Sequence, residues 1–287
     1  MSGSVVRSSA ALRLAQRVTK RFAELPQVAA VALGGSQAAS TADSESDIDL
    51  YVYCREAVGL EERRKVASVA SIMEIGNEFW EPGDEWVDAE TGISADVMFR
   101  DVKWIEERLN DVLKRHQASV GYSTCFWYNV RNSRPLFDRT GWFAELQKKA
   151  NKPYPRELKR AIVAKNFPIL RANLSSYLHQ IQLAIARQDW ISVQHRTTAL
   201  LASYFDILFA VNEQPHPGEK RLVERAASLC KKLPAEFERS VTNLLESLPE
   251  RNEQISHSVN RLVDGLETLL ISEGLDSVRT GATRVLP

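Results

Sequence analysis

The stretch from Val28 to Tyr53 constrains this chain more than any other. Val28-Ala29-Ala30-Val31-Ala32-Leu33 is a short apolar run, the pattern of a buried strand, and Gly34 and Gly35 close it. Glycine there allows positive φ and leaves the backbone open to a ligand. Residues from Gln37 to Ser46 are small and polar, a loop; Ile48 to Tyr53 then alternates and is rich in β-formers, a second strand. Asp47 and Asp49, two apart where that strand begins, point to one face, while Ile48 turns to the opposite, buried face. Carboxylates side by side repel unless a cation lies between them. Oxygen-only ligation suits Mg²⁺, which bridges carboxylates and substrate phosphates. The peptide N–H groups of the glycine corner, with the Ser36 hydroxyl, are placed to cradle phosphate oxygens.

Ile93 to Phe99 reads as another strand, with Asp96 the lone acid inside it. A buried carboxylate is expensive, so Asp96 should face a metal, a partner or a cleft. Three such acids around a nucleoside triphosphate suit in-line attack at its α-phosphorus. The competing interpretation is an Asx-rich hairpin loop with solvated carboxylates. The Gly-Lys-Ser/Thr of a P-loop is missing. Just upstream of Asp96, the residues Trp80, Glu81, Asp84, Glu85, Trp86 and Asp88 mix acids with aromatics. Such a cluster suits a cationic or sugar-like acceptor, with Glu85 as acceptor contact or alternative base, or it is a surface loop with aromatics tucked onto the core.

Outside this region the signals concern organisation. Glu61 to Ile75 has helical spacing, with Val66, Val69, Ala70 and Met73 on one face; Glu81-Pro82-Gly83-Asp84 is a turn signal, and helix resumes over Val102–Arg115. The chain is turn-rich from Asn132 to Pro155. Beyond it only helices are expected, at Leu158–Leu174, Ser176–Arg187, Ile191–Val211, Glu219–Lys232, Pro234–Leu248 and Glu253–Ser272. Strands mixed with helices, then helices alone, imply an α+β fold: a mixed-sheet domain over residues 1–150 and an all-α helical bundle over 151–287. Arg7, Arg13, Arg17, Lys20 and Arg21 all precede the first acid, Glu24. That pattern is shared by mitochondrial presequences and by amphipathic helices. Ala11, Leu12, Leu14, Ala15, Val18 and Phe22, at helical spacing, favour a first helix.

Lys+Arg and Asp+Glu both number 37. That balance favours a small ligand over long nucleic acid, which is held by basic excess. Three widely separated cysteines offer neither a zinc site nor a disulfide framework, and no apolar run is long enough to span a bilayer. A cytoplasmic monomer or dimer is expected.

The Gly35-Ser36 pair, the loop and the Asp47-x-Asp49 that opens a strand resemble the signature of the DNA polymerase β-like nucleotidyltransferases. The resemblance implies that Asp47 and Asp49 bind Mg²⁺ and that Asp96 is the third carboxylate, metal ligand or general base. Many small members carry Arg and Gly where this chain has Ala39 and Ser40. The second half is similar in architecture to antibiotic nucleotidyltransferases of the aminoglycoside and lincosamide type, where a lysine of the helical bundle reaches the triphosphate. The string Tyr204 to Asn212, then His216-Pro217-Gly218-Glu219-Lys220-Arg221, resembles that helix–loop–lysine arrangement and a large uncharacterised bacterial family with a nucleotidyltransferase head. Lys220 is the implied triphosphate contact; Lys165 and Arg196 are secondary candidates. The expected activity is transfer of a nucleoside monophosphate, AMP from ATP, to a hydroxyl of a small-molecule acceptor. The alternatives are an antitoxin-like protein that acts on or binds a protein partner, and a catalytically dead nucleotide-binding relic. Arg251 and His257 match an Arg-x5-His spacing seen in some helical ribonuclease toxins, a spacing that also arises by chance.

Overall fold

The computed structural model describes residues 2–35, 47–79 and 81–275. Helix α1 (Ser2–Ala23) leads into strand β1 (Val28–Leu33) and strand β2 (Ile48–Cys54). Helix α2 (Leu60–Val66), strands β3 (Ala70–Asn77), β4 (Gly83–Asp88) and β5 (Ser94–Asp101), and helix α3 (Val102–Leu113) follow. Next come α4 (Cys125–Asn132), β6 (Arg134–Asp138) and α5 (Trp142–Ala150). The remaining elements are helical: α6 (Arg156–Arg171), α7 (Tyr177–Ala186), α8 (Trp190–Val211), α9 (Leu222–Leu229), α10 (Phe237–Ser247), a short 3-10 turn (Leu248–Glu250) and α11 (Gln254–Ser272). The fold class is α+β, as expected.

The strands form one six-stranded mixed sheet in the order β3-β4-β5-β2-β1-β6. Only β2 and β5 run parallel; the other neighbours are antiparallel. One face carries α1, whose Ala11, Leu14, Ala15, Val18 and Phe22 pack with Val31, Leu33, Ile48, Leu50, Val52 and Val97 in a single apolar cluster. The N-terminal arginine pattern thus belongs to an amphipathic helix folded onto the sheet. On the opposite face, Tyr53 lies against Trp142 and Phe143 of α5.

Three expectations are corrected. The helix expected through Ile75 stops at Val66, and residues Ala70–Asn77 are an edge strand. Helical spacing there is fortuitous: Val66 is buried, but Met73 is largely exposed, and pairing with β4 decides the conformation. Gly83 and Asp84, expected in a turn, open β4. The turn-rich stretch 132–155 holds β6 and α5, because Pro135 sits on an edge strand beside an irregularity in register and Gly141, at φ +74°, caps a helix.

The chain divides into two compact units. The first comprises the residues up to Asn110 together with Asn129–Lys152; the second comprises Asp111–Tyr128 and the chain from Pro153 on. The second is helical and centres on α8, where every residue from Ser203 to Val211 is buried. Tyr204, Phe205, Leu208 and Phe209 of α8 share a core with Phe167, Phe237, Val259, Leu262 and Leu266. Its helices begin where the sequence supplies caps: Ser176 accepts from the His179 amide and Asp189 from the Ser192 amide. No helix among the described residues is long and apolar enough to cross a membrane.

Candidate active site

The glycine corner is built against the second aspartate. The Gly34 amide donates to the Asp49 carbonyl at 2.8 Å, and a β-carbon on Gly34 would come within 2.5 Å of the Tyr51 ring. Gly35 has φ +57°, and a β-carbon there would lie 1.7 Å from an Asp49 carboxylate oxygen. Only glycine lets the backbone pass so close to that carboxylate. Ile48 is fully buried towards α1, whereas Asp47 is exposed and Asp49 half-buried. Ser36 and the loop to Ser46, including Ala39 and Ser40, lie outside the described residues, as does Trp80.

The register of the sheet extends this pair into a row. Asp49 on β2 is level with Asp96 on the parallel neighbour β5, and Asp96 is opposite Glu85 on β4. Glu85 in turn is opposite Glu74 on β3. Residues directly across a ladder share a face, so Asp49, Asp96, Glu85 and Glu74 form a line of carboxylates on one side of the sheet. Neighbouring strands are spaced about 4.8 Å apart, close enough for each acid to feel the next. Asp96 registers the crowding: burial, then the charges of Asp49, Glu85, Asp47 and Glu81, push its carboxyl up to about 6. No hydrogen bond to its side chain is formed by any described residue.

Acids elsewhere on the same strands are treated differently. Asp84, fully buried on the opposite face, accepts from Arg63 and from the Gly76 amide. Asp88 accepts from Arg17 and from Thr91, which hold its carboxyl below the usual range despite the opposing effect of burial. Glu81 accepts from Nε and one Nη of the Arg100 guanidinium, which stacks over Tyr51 at 3.9 Å. Each of these three acids has its arginine. Glu85, exposed, has among the described residues only a long 3.5 Å contact from the Asn77 amide. The acidic-aromatic cluster of the sequence therefore splits by strand alternation: Asp84, Trp86 and Asp88 go to the helix-covered face, and Glu85 to the row.

Hard oxygen donors gathered around a carboxyl that burial and neighbouring charge raise, as at Asp96, are the donor set a divalent cation takes. Among the described residues no group of three or more histidine, cysteine, aspartate or glutamate side chains is placed to hold a metal ion. The fit to Mg²⁺ rests on donor chemistry.

In the second unit, Lys220 is exposed in the turn between α8 and α9, with no ion pair among the described residues. Lys165 and Arg196 are exposed on helix surfaces. Arg251 is an exposed left-handed cap and His257 is exposed on α11, with no bond between them. His216, by contrast, is fully buried. Sequence reasoning missed Glu74, because it fell in a segment read as helix, and it missed Arg100 as the residue that neutralises Glu81. The place of Glu74 opposite Glu85 follows from the pairing of β3 with β4, which the helical spacing of that segment concealed.

Residues 15–118 match the family model described as a nucleotidyltransferase domain. No curated protein matches the sequence. Among solved structures, the chain is similar to a nucleotidyltransferase-like protein from Exiguobacterium sibiricum 255-15 at 15% identity and TM-score 0.42, over 90% of this chain and 73% of that one. It is also similar to a STING-associated CdnE c-di-GMP synthase from Capnocytophaga granulosa at 12% identity and TM-score 0.31, over 94% of this chain and 83% of that one. The matched segment contains the glycine corner, Asp47, Asp49, Glu85 and Asp96, so the likeness to a nucleotidyltransferase domain lies over the part of the chain that holds the candidate site.

Proposed function

We propose that the chain transfers a nucleoside monophosphate, AMP from ATP, onto a hydroxyl of a small-molecule acceptor. The observation that carries this reading is the pair Asp49 and Asp96, level on adjacent parallel strands beside a corner that only glycine can form. Asp47, Asp49 and Asp96 would hold Mg²⁺, and Gly35 and Ser36 would seat the phosphates. When bound, Mg²⁺ neutralises phosphate charge and favours ionisation of the incoming hydroxyl. Asp96, at about 6, is suited to accept a proton from that hydroxyl near neutrality. Glu85, next in the row, would contact the acceptor, and Lys220 would contact the triphosphate. In this reading residues 1–150 are the catalytic domain and 151–287 the accessory helical domain of a cytoplasmic protein, monomeric or dimeric. Long nucleic acid and membranes are not among its partners.

The test is pyrophosphate release from ATP and Mg²⁺ with an amine-bearing polyol library and, separately, a cell lysate as acceptors. Asp47→Ala should abolish release and keep the melting temperature. Full activity of that variant overturns the site assignment. Labelled AMP on a protein band rather than on small molecules favours the protein-acceptor alternative.

A further inference from the structure

The second unit buries a carboxylate that no lysine or arginine among the described residues neutralises. Asp206, on α8, is 1% exposed. It accepts from the Ser123 amide at 3.0 Å, from the Ser123 hydroxyl at 2.6 Å and from the Asn166 amide at 3.4 Å. A charge buried without a counter-ion is costly, so its bonds are the place to look for a use. Asn166, also fully buried, works on the same segment: its oxygen accepts from the Gly121 amide at 2.9 Å, and its nitrogen donates to the Ser119 carbonyl at 3.0 Å. Two buried polar side chains thus fasten residues 119–123 onto α6 and α8. Gly121, at φ +71°, allows the fit, because a β-carbon there would already press on Ala202 at 3.1 Å.

The next residues carry the connection onward. The Thr124 hydroxyl accepts from the His216 amide at 2.7 Å, and Cys125 Sγ lies 3.5 Å from His216 Nδ1. His216 Nδ1 accepts from the Gly218 amide at 3.1 Å, so the ring proton belongs on Nε2. The ring sits edge-on between Tyr122 and Phe209, each 5.0 Å away, and burial keeps it neutral down to about 4. At the start of the same loop, Asn212 makes a two-way pair with the Lys232 backbone at 2.8 and 2.7 Å. The loop is therefore held at Asn212, His216 and Gly218, and two residues further on comes the exposed Lys220.

We propose that Asp206 and Thr124 are positioning residues: with Asn166 and His216 they lock the Ser119–Cys125 segment to the His216–Gly218 loop, which presents Lys220 from a fixed support. The proposal rests on the reading in which Lys220 contacts the triphosphate. A flexible lysine is a mobile point charge, and a rigid base reduces the ordering cost of placing it on a phosphate. The network touches no substrate; it acts through Lys220 alone.

Hydrogen exchange on the full chain reads the support without reference to nucleotide. Thr124→Val and Asp206→Asn should each raise exchange over residues 214–221 about tenfold or more, whereas Lys220→Ala should not. Thr124→Val is the milder change and keeps the test open should Asp206→Asn fold poorly. Titration with ATP and Mg²⁺ reads the consequence: each variant, and Lys220→Ala, should weaken binding about tenfold. Neither should weaken it further in the Lys220→Ala background. Unchanged exchange in both variants, or losses that add to that of Lys220→Ala, overturns the proposal. Unchanged ATP affinity in Lys220→Ala alone overturns the role of Lys220 and with it the purpose of the support. Bound ATP that the wild-type protein never converts to pyrophosphate would instead count against the enzymatic reading, with the exchange result standing.

Discussion

A single carbon added at Gly35 tests the glycine corner. In Gly35→Ala the new β-carbon would start 1.7 Å from an Asp49 carboxylate oxygen. Non-bonded carbon and oxygen do not approach within about 3 Å, so the carboxylate must withdraw by more than about 1 Å. The φ of +57° adds a separate penalty, about 1–2 kcal/mol for a residue with a side chain. That backbone term lowers the melting temperature by only a few degrees, about 2–4 °C per kcal/mol in a chain of this size. Misplacing a reacting group by about 1 Å costs on the order of 10²-fold in rate. Gly92→Ala separates the two effects: its φ is +66°, yet a β-carbon there meets nothing within 4 Å. Both variants should lose similar stability by thermal melting. Only Gly35→Ala should lose about 100-fold in kcat for pyrophosphate release. Equal turnover in the two variants would refute the idea that the corner exists to let Asp49 approach the backbone.

Arg63→Ala leaves Asp84 buried without its cation and should destabilise the first unit by about 3–5 kcal/mol in urea unfolding. The apolar pair Arg63→Met with Asp84→Leu should recover most of that loss. Asp206 gives a pH signature. Burial raises its carboxyl to about 7, with Tyr122, Cys125 and Tyr154 near it and no lysine or arginine paired with it among the described residues. A raised acid contributes stability that is complete below its unfolded value, about 4, and is lost as pH rises through about 7. The melting temperature of wild type relative to Asp206→Asn should therefore fall between pH 4 and 8; a constant difference excludes the titration. Glu85→Gln should raise the KM of an amine-bearing acceptor and leave that of ATP alone, whereas equal effects on both would place Glu85 at the nucleotide.

The elements legible in the sequence were those with an unambiguous period. β1 and β2 are apolar runs, and α8 is a long helix whose C-terminal half is buried on all sides. Asp47, Asp49 and Asp96 were singled out because a carboxylate beside buried strand residues must face a metal, a partner or a cleft, and the sheet register sets Asp49 level with Asp96. The illegible elements have mixed signals with a common cause. β3 and β6 are the two edges of the sheet, one partly exposed on both faces and the other containing a proline, so neither shows a clean alternation. Asp206 and Asn166 could not be recognised because their partners on the Gly121–Ser123 segment lie 83 and 45 residues away and are in part backbone groups, which every sequence possesses.

The arginines add the step that the motif alone does not contain. Arg17, Arg63 and Arg100 each meet one acid of β4 or of the turn before it, and two of those acids face the helices, where unpaired charge would oppose folding. The row Asp49, Asp96, Glu85 and Glu74 lies on the other side and runs from the glycine corner to the sheet edge. Burial first, and the neighbouring charges of the row second, raise the Asp96 carboxyl. On the proposed function, repulsion along the row would be relieved by cations that arrive with the reaction. In the proposed reaction a divalent ion would answer Asp47, Asp49 and Asp96 at one end, which would leave Glu85 and Glu74 for positive charge on the acceptor. Selectivity for a cationic acceptor should therefore weaken with salt and follow the number of row acids kept. If Glu74→Gln combined with Glu85→Gln changed neither acceptor preference nor its salt dependence, the outer half of the row would have no part in recognition.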